Sequence, residues 1–271
     1  EHRQQPMPIV SLLTDFGTAD NYVGVMKAVI AARCPQARLI DISHGVAPQD
    51  VAAGAFLLDK SWRFFPAGSV HLAVVDPGVG TQRRGLVASV GDHVFVAPDN
   101  GLLSSVLQAY PDSACYSIEN SDLMRPARSR TFHGRDVFSP VAAALARGVA
   151  PDAVGPAIDD PVLVSVPPSE RTAGRVDGTV VYVDHYGNLV TNIAESELQA
   201  LGGDSELHAA VPATGIAGMP VVDSYQAVGA GELLAVVGGF GNLEISVREG
   251  SARDRLGAER GWPVRVAVKP Q

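Results

Sequence analysis

The chain has little of what would mark a small stapled, membrane-bound or nucleic-acid-binding protein. Only two of its 271 residues are cysteine, Cys34 and Cys115, far apart and without CxxC spacing. That excludes a disulfide framework or a thiolate metal knuckle, and both read as buried thiols in a reducing compartment. No apolar run approaches the roughly 18–20 residues that a helical membrane span needs. The segment Glu1-His2-Arg3-Gln4-Gln5-Pro6 has no signal-peptide core, so a cytoplasmic location is expected. The chain does not open on Met: either something precedes it, or Met7 is the natural start and the first six residues are foreign. There is no long basic tract, and 21 Lys and Arg against 29 Asp and Glu give a net charge of −8, so nucleic acid is not an expected partner. Repeats and low-complexity tracts are absent too.

Familiar reaction motifs are missing as well. The chain has no P-loop and no GxSxG, and its Gly78-x-Gly80 and Gly238-Gly239-x-Gly241 are not the GxGxxG of a dinucleotide site. His44 and His133 sit among Gly and Asp, but no HxH or HExxH supplies two ligands from one element. Asp15, Asp76 and His133 could converge on a cation, yet Arg83 beside them would oppose it, so no metal is expected.

What is present is a chain that is 46% hydrophobic and 18% charged, long enough for one large or two unequal domains. The first part alternates strand and helix patterns. Strands are expected at Ile9–Leu13, Leu39–Ile42, Ser69–Val75, Leu86–Val90 and Val94–Ala97. Between and after them come helices: one from Asp20 with Tyr22, Val25, Met26 and Val29 on one face, one opened by Pro48-Gln49-Asp50, then Leu102–Leu107 and Val137–Ala146. Such alternation predicts an α/β domain with a mainly parallel sheet covered by helices, over residues 1–166. Val164-Ser165-Val166-Pro167-Pro168-Ser169 reads as a linker. Residues 170–271 carry short β patterns at Gly174–Val183, Leu189–Ile193, Leu233–Val237, Leu243–Val247 and Val264–Val268, which predicts a smaller, largely antiparallel β-barrel or sandwich.

Three constellations carry chemistry. Asp15, in Thr14-Asp15-Phe16-Gly17, follows the first strand, where an acid can chelate a ribose diol; a plain turn Asp fits equally well. Asp76, in Val75-Asp76-Pro77-Gly78, ends another strand, and Arg83 seven residues on can face it across the turn. With His133 from Thr131-Phe132-His133-Gly134-Arg135-Asp136 they could grip a water molecule. Alternating side chains in an extended segment send Arg84 the other way, to solvent or a subunit contact. Asp184-His185-Tyr186-Gly187-Asn188, at a hairpin, offers amides and a ring to an adenine, or simply turn chemistry.

Seven blocks in order, LLTDFG (12–17) with DNYVGVMKAVI (20–30), ISHGVAPQDVAAGAFLL (42–58), VVDPGVGTQRR (74–84), APDNGLL (97–103), TFHGRDVFSPVAAAL (131–145) and VDHYGNLVTNI (183–193), resemble the SAM hydroxide adenosyltransferases, relatives of the SAM-dependent fluorinase and chlorinase. The resemblance implies hydrolysis of S-adenosyl-L-methionine (SAM) to adenosine and L-methionine without a cofactor. It implies a homotrimer with active sites at subunit interfaces. It assigns Asp76, Arg83 and His133 to the attacking water, a set the halogenases lack, and so argues against a chlorinase. A non-catalytic SAM or adenosine sensor would not need the set. Substrate contacts are implied at Asp15, Phe132, Gly134, Asp184, Tyr186, Asn188, Phe240 and Ala252. The family's Asn-Ser pair is replaced by Gly238-Gly239, and the Asn of its later G-N-A segment by Ser251.

Overall fold

The computed structural model describes residues 7–165, 167–202 and 206–269. Residues 1–6, on which the question of the natural start turns, and Val166 of the expected linker lie outside them. The chain divides into two compact units, Glu1–Ser165 and Val166–Gln271.

The first unit runs β1 (Ile9–Thr14), α1 (Tyr22–Arg33), β2 (Arg38–Ser43), α2 (Val51–Ser61), β3 (Val70–Val74), β4 (Gly85–Val90), β5 (His93–Pro98), α3 (Ser104–Ala109), β6 (Ala114–Ser117), α4 (Ser139–Ala146) and β7 (Ala157–Ile158). Its seven strands form one sheet in the order β2-β1-β3-β5-β4-β6-β7. The sheet is parallel from β2 to β5. From β5 on it is antiparallel, because Gly91-Asp92 alone joins β4 to β5 and so short a turn can only make a hairpin. Both faces of β3 are buried. Val10, Leu12, Val70, Leu72 and Val74 pack with Met26 and Ile30 of α1 and Val141 of α4. On the opposite face Leu13 and Val75 close on Gly54 of α2.

The buried stripe of α1 is Val23, Met26 and Ile30, not the Tyr22, Val25, Met26, Val29 face expected; Tyr22 is exposed. The helix is apolar nearly all round, so two stripes satisfy the same period and only the sheet beneath decides between them.

The second unit runs β8 (Glu170–Thr172), β9 (Arg175–Val183), β10 (Leu189–Ala194), α5 (Glu195–Gly202), β11 (Leu207–Val211), β12 (Ile216–Val222), β13 (Leu233–Val237), β14 (Asn242–Val247), α6 (Ala252–Leu256) and β15 (Pro263–Val268). The order β10-β14-β13-β12-β11-β15-β9 closes through a β10–β9 pairing into a seven-stranded barrel, with β8 attached to β9 outside the ring. Only β12–β13 is parallel. Closure leaves the seven ring strands without an open edge, and the interior is filled by Val180, Leu189, Ile193, Leu243, Ile245 and Val264.

Candidate active site

β1 and β3 are parallel neighbours in register at Thr14 and Val74. Asp15 and Asp76 therefore leave the sheet at the same carboxyl edge. The chain departs from β1 to β2 on one side and returns through α2 to β3 on the other, so the two acids straddle the point where connections diverge. Ligands of open α/β sheets bind at such crevices.

Asn100 donates to the Val75 carbonyl at 2.8 Å and holds the exit of β3 in place. After the turn, Arg83 comes back on Asp76: Nε donates to Oδ1 at 2.8 Å and Nη2 to Oδ2, a bidentate pair whose side chains are 11% and 5% exposed. The same Nη2 lies 2.9 Å from His133 Nδ1, and the guanidinium stands 5.1 Å over the Phe138 ring. The three residues thus meet as one connected group around Arg83. Arginine has donors only, so Nδ1 of His133 accepts and the imidazole proton sits on Nε2. Burial, and then the charge of Arg83, push the His133 pKa below its ordinary value of 6.5.

His133 caps a π-helical turn, Gly134–Phe138, that runs into α4. Such turns are rare and frequent at functional sites. Asp136 locks the approach to it: fully buried, it takes Arg135 Nε at 2.7 Å, Arg125 Nε at 3.2 Å and the Ser129 amide at 2.7 Å. Burial would raise its pKa, but Arg135 and the Ser129 amide bring it below the usual carboxylate range.

Aromatic packing joins the Asp15 loop to the His133 segment. Phe132 meets Phe16 edge-on at 6.1 Å and Tyr22 at 5.2 Å, while Gly134 is buried beneath the rings. Asp15 Oδ2 accepts the Gln49 amide at 2.7 Å. Arg84 does turn away from Arg83, but not to solvent. It clamps the buried Asp99 and the exposed Asp160, each at 2.8 Å, and so ties β4 to the stretch after β7.

In the second unit, Asp184 Oδ1 accepts the amides of Tyr186 at 2.9 Å and Asn188 at 2.8 Å, and Asn188 Nδ2 donates to Oδ2 at 2.8 Å. Both residues build the turn, and the Tyr186 ring is left 74% exposed. Tyr186, Asn188 and Tyr225 line a cavity of about 370 Å³. Tyr225 went unmarked in the sequence because it belongs to no block; an exposed ring in a Gly-rich loop is a weak signal. Its hydroxyl donates to Glu244, a buried acid whose pKa is raised by burial and by Asp184. Phe240 packs edge-on to Tyr182 at 6.3 Å. The Ala252 side chain is fully buried in the barrel core, which leaves only its backbone for a ligand. Among the described residues no three His, Cys, Asp or Glu are grouped to hold a metal, and no helix is long and apolar enough to cross a membrane.

Residues 10–155 match the model of the SAM hydroxide adenosyltransferase N-terminal domain, and residues 178–265 that of the C-terminal domain. The chain belongs to this family. It is 38% identical over 270 residues to an (R)-S-adenosyl-L-methionine hydrolase of Thermus thermophilus, covering 95% of this chain and 98% of that one. A protein of the same name from Salinispora tropica is 39% identical, covering 97% and 99%. A fluorinase of an Actinoplanes species is more distant, 28% identical with 72% and 74% covered. Among solved structures, an uncharacterized conserved protein of Thermotoga maritima is 36% identical and superposes with a TM-score of 0.89 over 95% of this chain and 99% of that one.

Proposed function

We propose that this family member hydrolyses SAM to adenosine and L-methionine by in-line attack of water at the ribose 5′ carbon. The observation that carries the reading is the Asp76–Arg83–His133 group beside Asp15 at one sheet edge, in a chain similar over its whole length to SAM hydrolases. In the reaction a C5′–O bond forms as the C5′–S bond breaks. Its electron pair neutralises the sulfonium, and water gives up a proton. The leaving thioether is neutral, so the chemistry needs no acid, metal or cofactor.

Bulk water, with a pKa of about 15.7, is a poor nucleophile. By its ordinary pKa His133 is the better-matched base near neutrality. Its geometry argues otherwise: Nδ1 is taken by Arg83 and Nε2 carries the proton, so His133 faces a water as a donor. Asp76 keeps a second lone pair on each oxygen while bonded to Arg83, and it is the acceptor the arrangement leaves open. Arg83 and His133 then stabilise negative charge growing on the attacking oxygen. Asp15 holds the ribose diol. Phe132 and Gly134 border the reacting end, and Asp184, Tyr186, Asn188, Phe240 and the Ala252 backbone serve the adenine.

The reading extends to a homotrimer with sites completed between subunits, which sedimentation velocity tests. It extends also to a cytoplasmic location, in keeping with two buried free thiols. The decisive experiment is incubation with SAM in oxygen-18 water, using both sulfonium epimers because the relatives are named for the (R) form. Label is expected in the adenosine 5′-hydroxyl and not in methionine. Label in neither product, or 5′-chloroadenosine in chloride buffer, overturns the reading.

A further inference from the structure

We infer that His44 is a positioning residue for Asp15, itself held by Asp41 and Lys27; the inference rests on the reading of Asp15 as the ribose-binding acid. His44 is 6% exposed. Its Nδ1 lies 2.8 Å from Thr14 Oγ1, and its carbonyl accepts the Gly17 amide at 2.8 Å. One residue therefore bonds both ends of the four-residue loop that carries Asp15. The Gln49 amide, five residues further along the same segment, grips the Asp15 carboxylate itself.

The order of donors along this line is set from its far end. Lys27 Nζ donates to Asp41 Oδ2 at 2.6 Å, and His44 Nε2 stands 3.1 Å from Asp41 Oδ1, a close electrostatic contact rather than an aligned hydrogen bond. Burial would raise the Asp41 pKa, but Lys27 and His44 bring it below the usual range, so the acid is charged near neutrality. A carboxylate at Nε2 favours the proton there, which leaves Nδ1 to accept the Thr14 hydroxyl. The Thr14 oxygen keeps lone pairs for the Phe16 amide, which it accepts at 3.2 Å. Asp15 sits between two residues whose bonds run in one fixed direction. A carboxylate that must meet two adjacent hydroxyls works only if held to within about 0.5 Å, which a free loop does not provide.

His44 does not touch Asp15, so its effect is to be read through Asp15, in a double-mutant cycle on adenosine binding by calorimetry with SAM kinetics alongside. His44→Ala is expected to weaken adenosine and raise KM for SAM by about 10-fold with kcat little changed, and His44/Asp15→Ala to bind no worse than Asp15→Ala. His44→Asn, whose amide oxygen can take the Thr14 hydroxyl, should recover most of the loss. A merely structural defect would lower the folded fraction and leave the affinity of the remainder intact. Should His44→Ala not fold, Thr14→Val cuts the same link and Thr14→Ser retains it. Losses that multiply in the double variant, or an unchanged adenosine affinity in a folded His44→Ala, overturn the positioning role alone. A wild-type protein that binds no adenosine, or Asp15→Ala binding it normally, overturns the parent reading as well.

Discussion

Arg83 has no acceptor, so each of its contacts fixes what the partner does. Asp76 must be the anion and His133 must present Nδ1 unprotonated. It follows that His133 titrates below 6.5 in the resting protein and that removing Arg83 moves it upward, because the larger of the two charges that depress it, Arg83 and Arg128, is gone while burial remains. Ring-nitrogen NMR on wild type and Arg83→Ala reads both the direction and the tautomer. Turnover of Arg83→Ala should fall by roughly two or more orders of magnitude with SAM affinity nearly intact, the pattern of an interaction made mainly in the transition state. Lysine should not restore it, since a point charge cannot form the two-pronged bond. A wild-type His133 protonated on Nδ1 would sink this account. The Asp76–Arg83 pair was legible because a strand, a Pro-Gly turn and an arginine lie within a few residues. His133 is 50 residues further on, and its place rested on resemblance. Arg84 was illegible: nothing near it in sequence announces Asp99 or Asp160.

Elements set by local rules were readable, and those set by long-range pairing were not. The Asp50 cap of α2 and the ends of β13 follow from residue type and period. Strands such as β12, Ile-Ala-Gly-Met-Pro-Val-Val, carry Gly and Pro and exist because the barrel must close around them. The turn between β9 and β10 shows the local case at its strictest. Gly187 has φ 81°, and a Cβ there would overlap Ser251 Oγ. Gly187→Ala should cost about 1–2 kcal/mol for the left-handed backbone alone, more with the overlap, in a urea melt. Gly238 is close-packed too: a Cβ there would run into the Glu244 carboxylate that Tyr225 holds. Gly238→Asn should therefore destabilise the barrel unless Glu244 is shortened to Ala in the same chain. Equal melting of Gly238→Asn and wild type would mean that Glu244 moves freely.

The two units differ in what acid does to them, and this follows from which groups each has buried. In the first, His71 is fully buried, bonded to Ser11 Oγ at 2.7 Å and His93 at 3.0 Å, and stacked on Phe95 at 4.7 Å. Burial, then the nearby His93, lower its pKa to about 3, and His93 and His133 are lowered too. Between pH 6.5 and about 3 the unfolded chain binds protons that the folded unit refuses. Its stability is therefore complete above 6.5 and falls as pH drops, by up to roughly 1.4 kcal/mol per pH unit for the buried His71, with His93 and His133 acting in the same direction. In the second unit the buried Glu244 has a raised pKa, so the folded form binds a proton more readily than the unfolded one, and stability there is lost as pH rises rather than as it falls. The chain's two tryptophans divide between the units, Trp62 within 5.0 Å of His93 and Trp262 against the barrel core. Each is a separate reporter once the other is replaced by Phe. From pH 7.5 to pH 5 the urea midpoint seen by Trp62 should fall while that seen by Trp262 holds or rises, and His71→Leu should flatten the first response. Midpoints that move down together would show that acid acts on the chain as a whole, and the partition argued from His71 and Glu244 would be wrong.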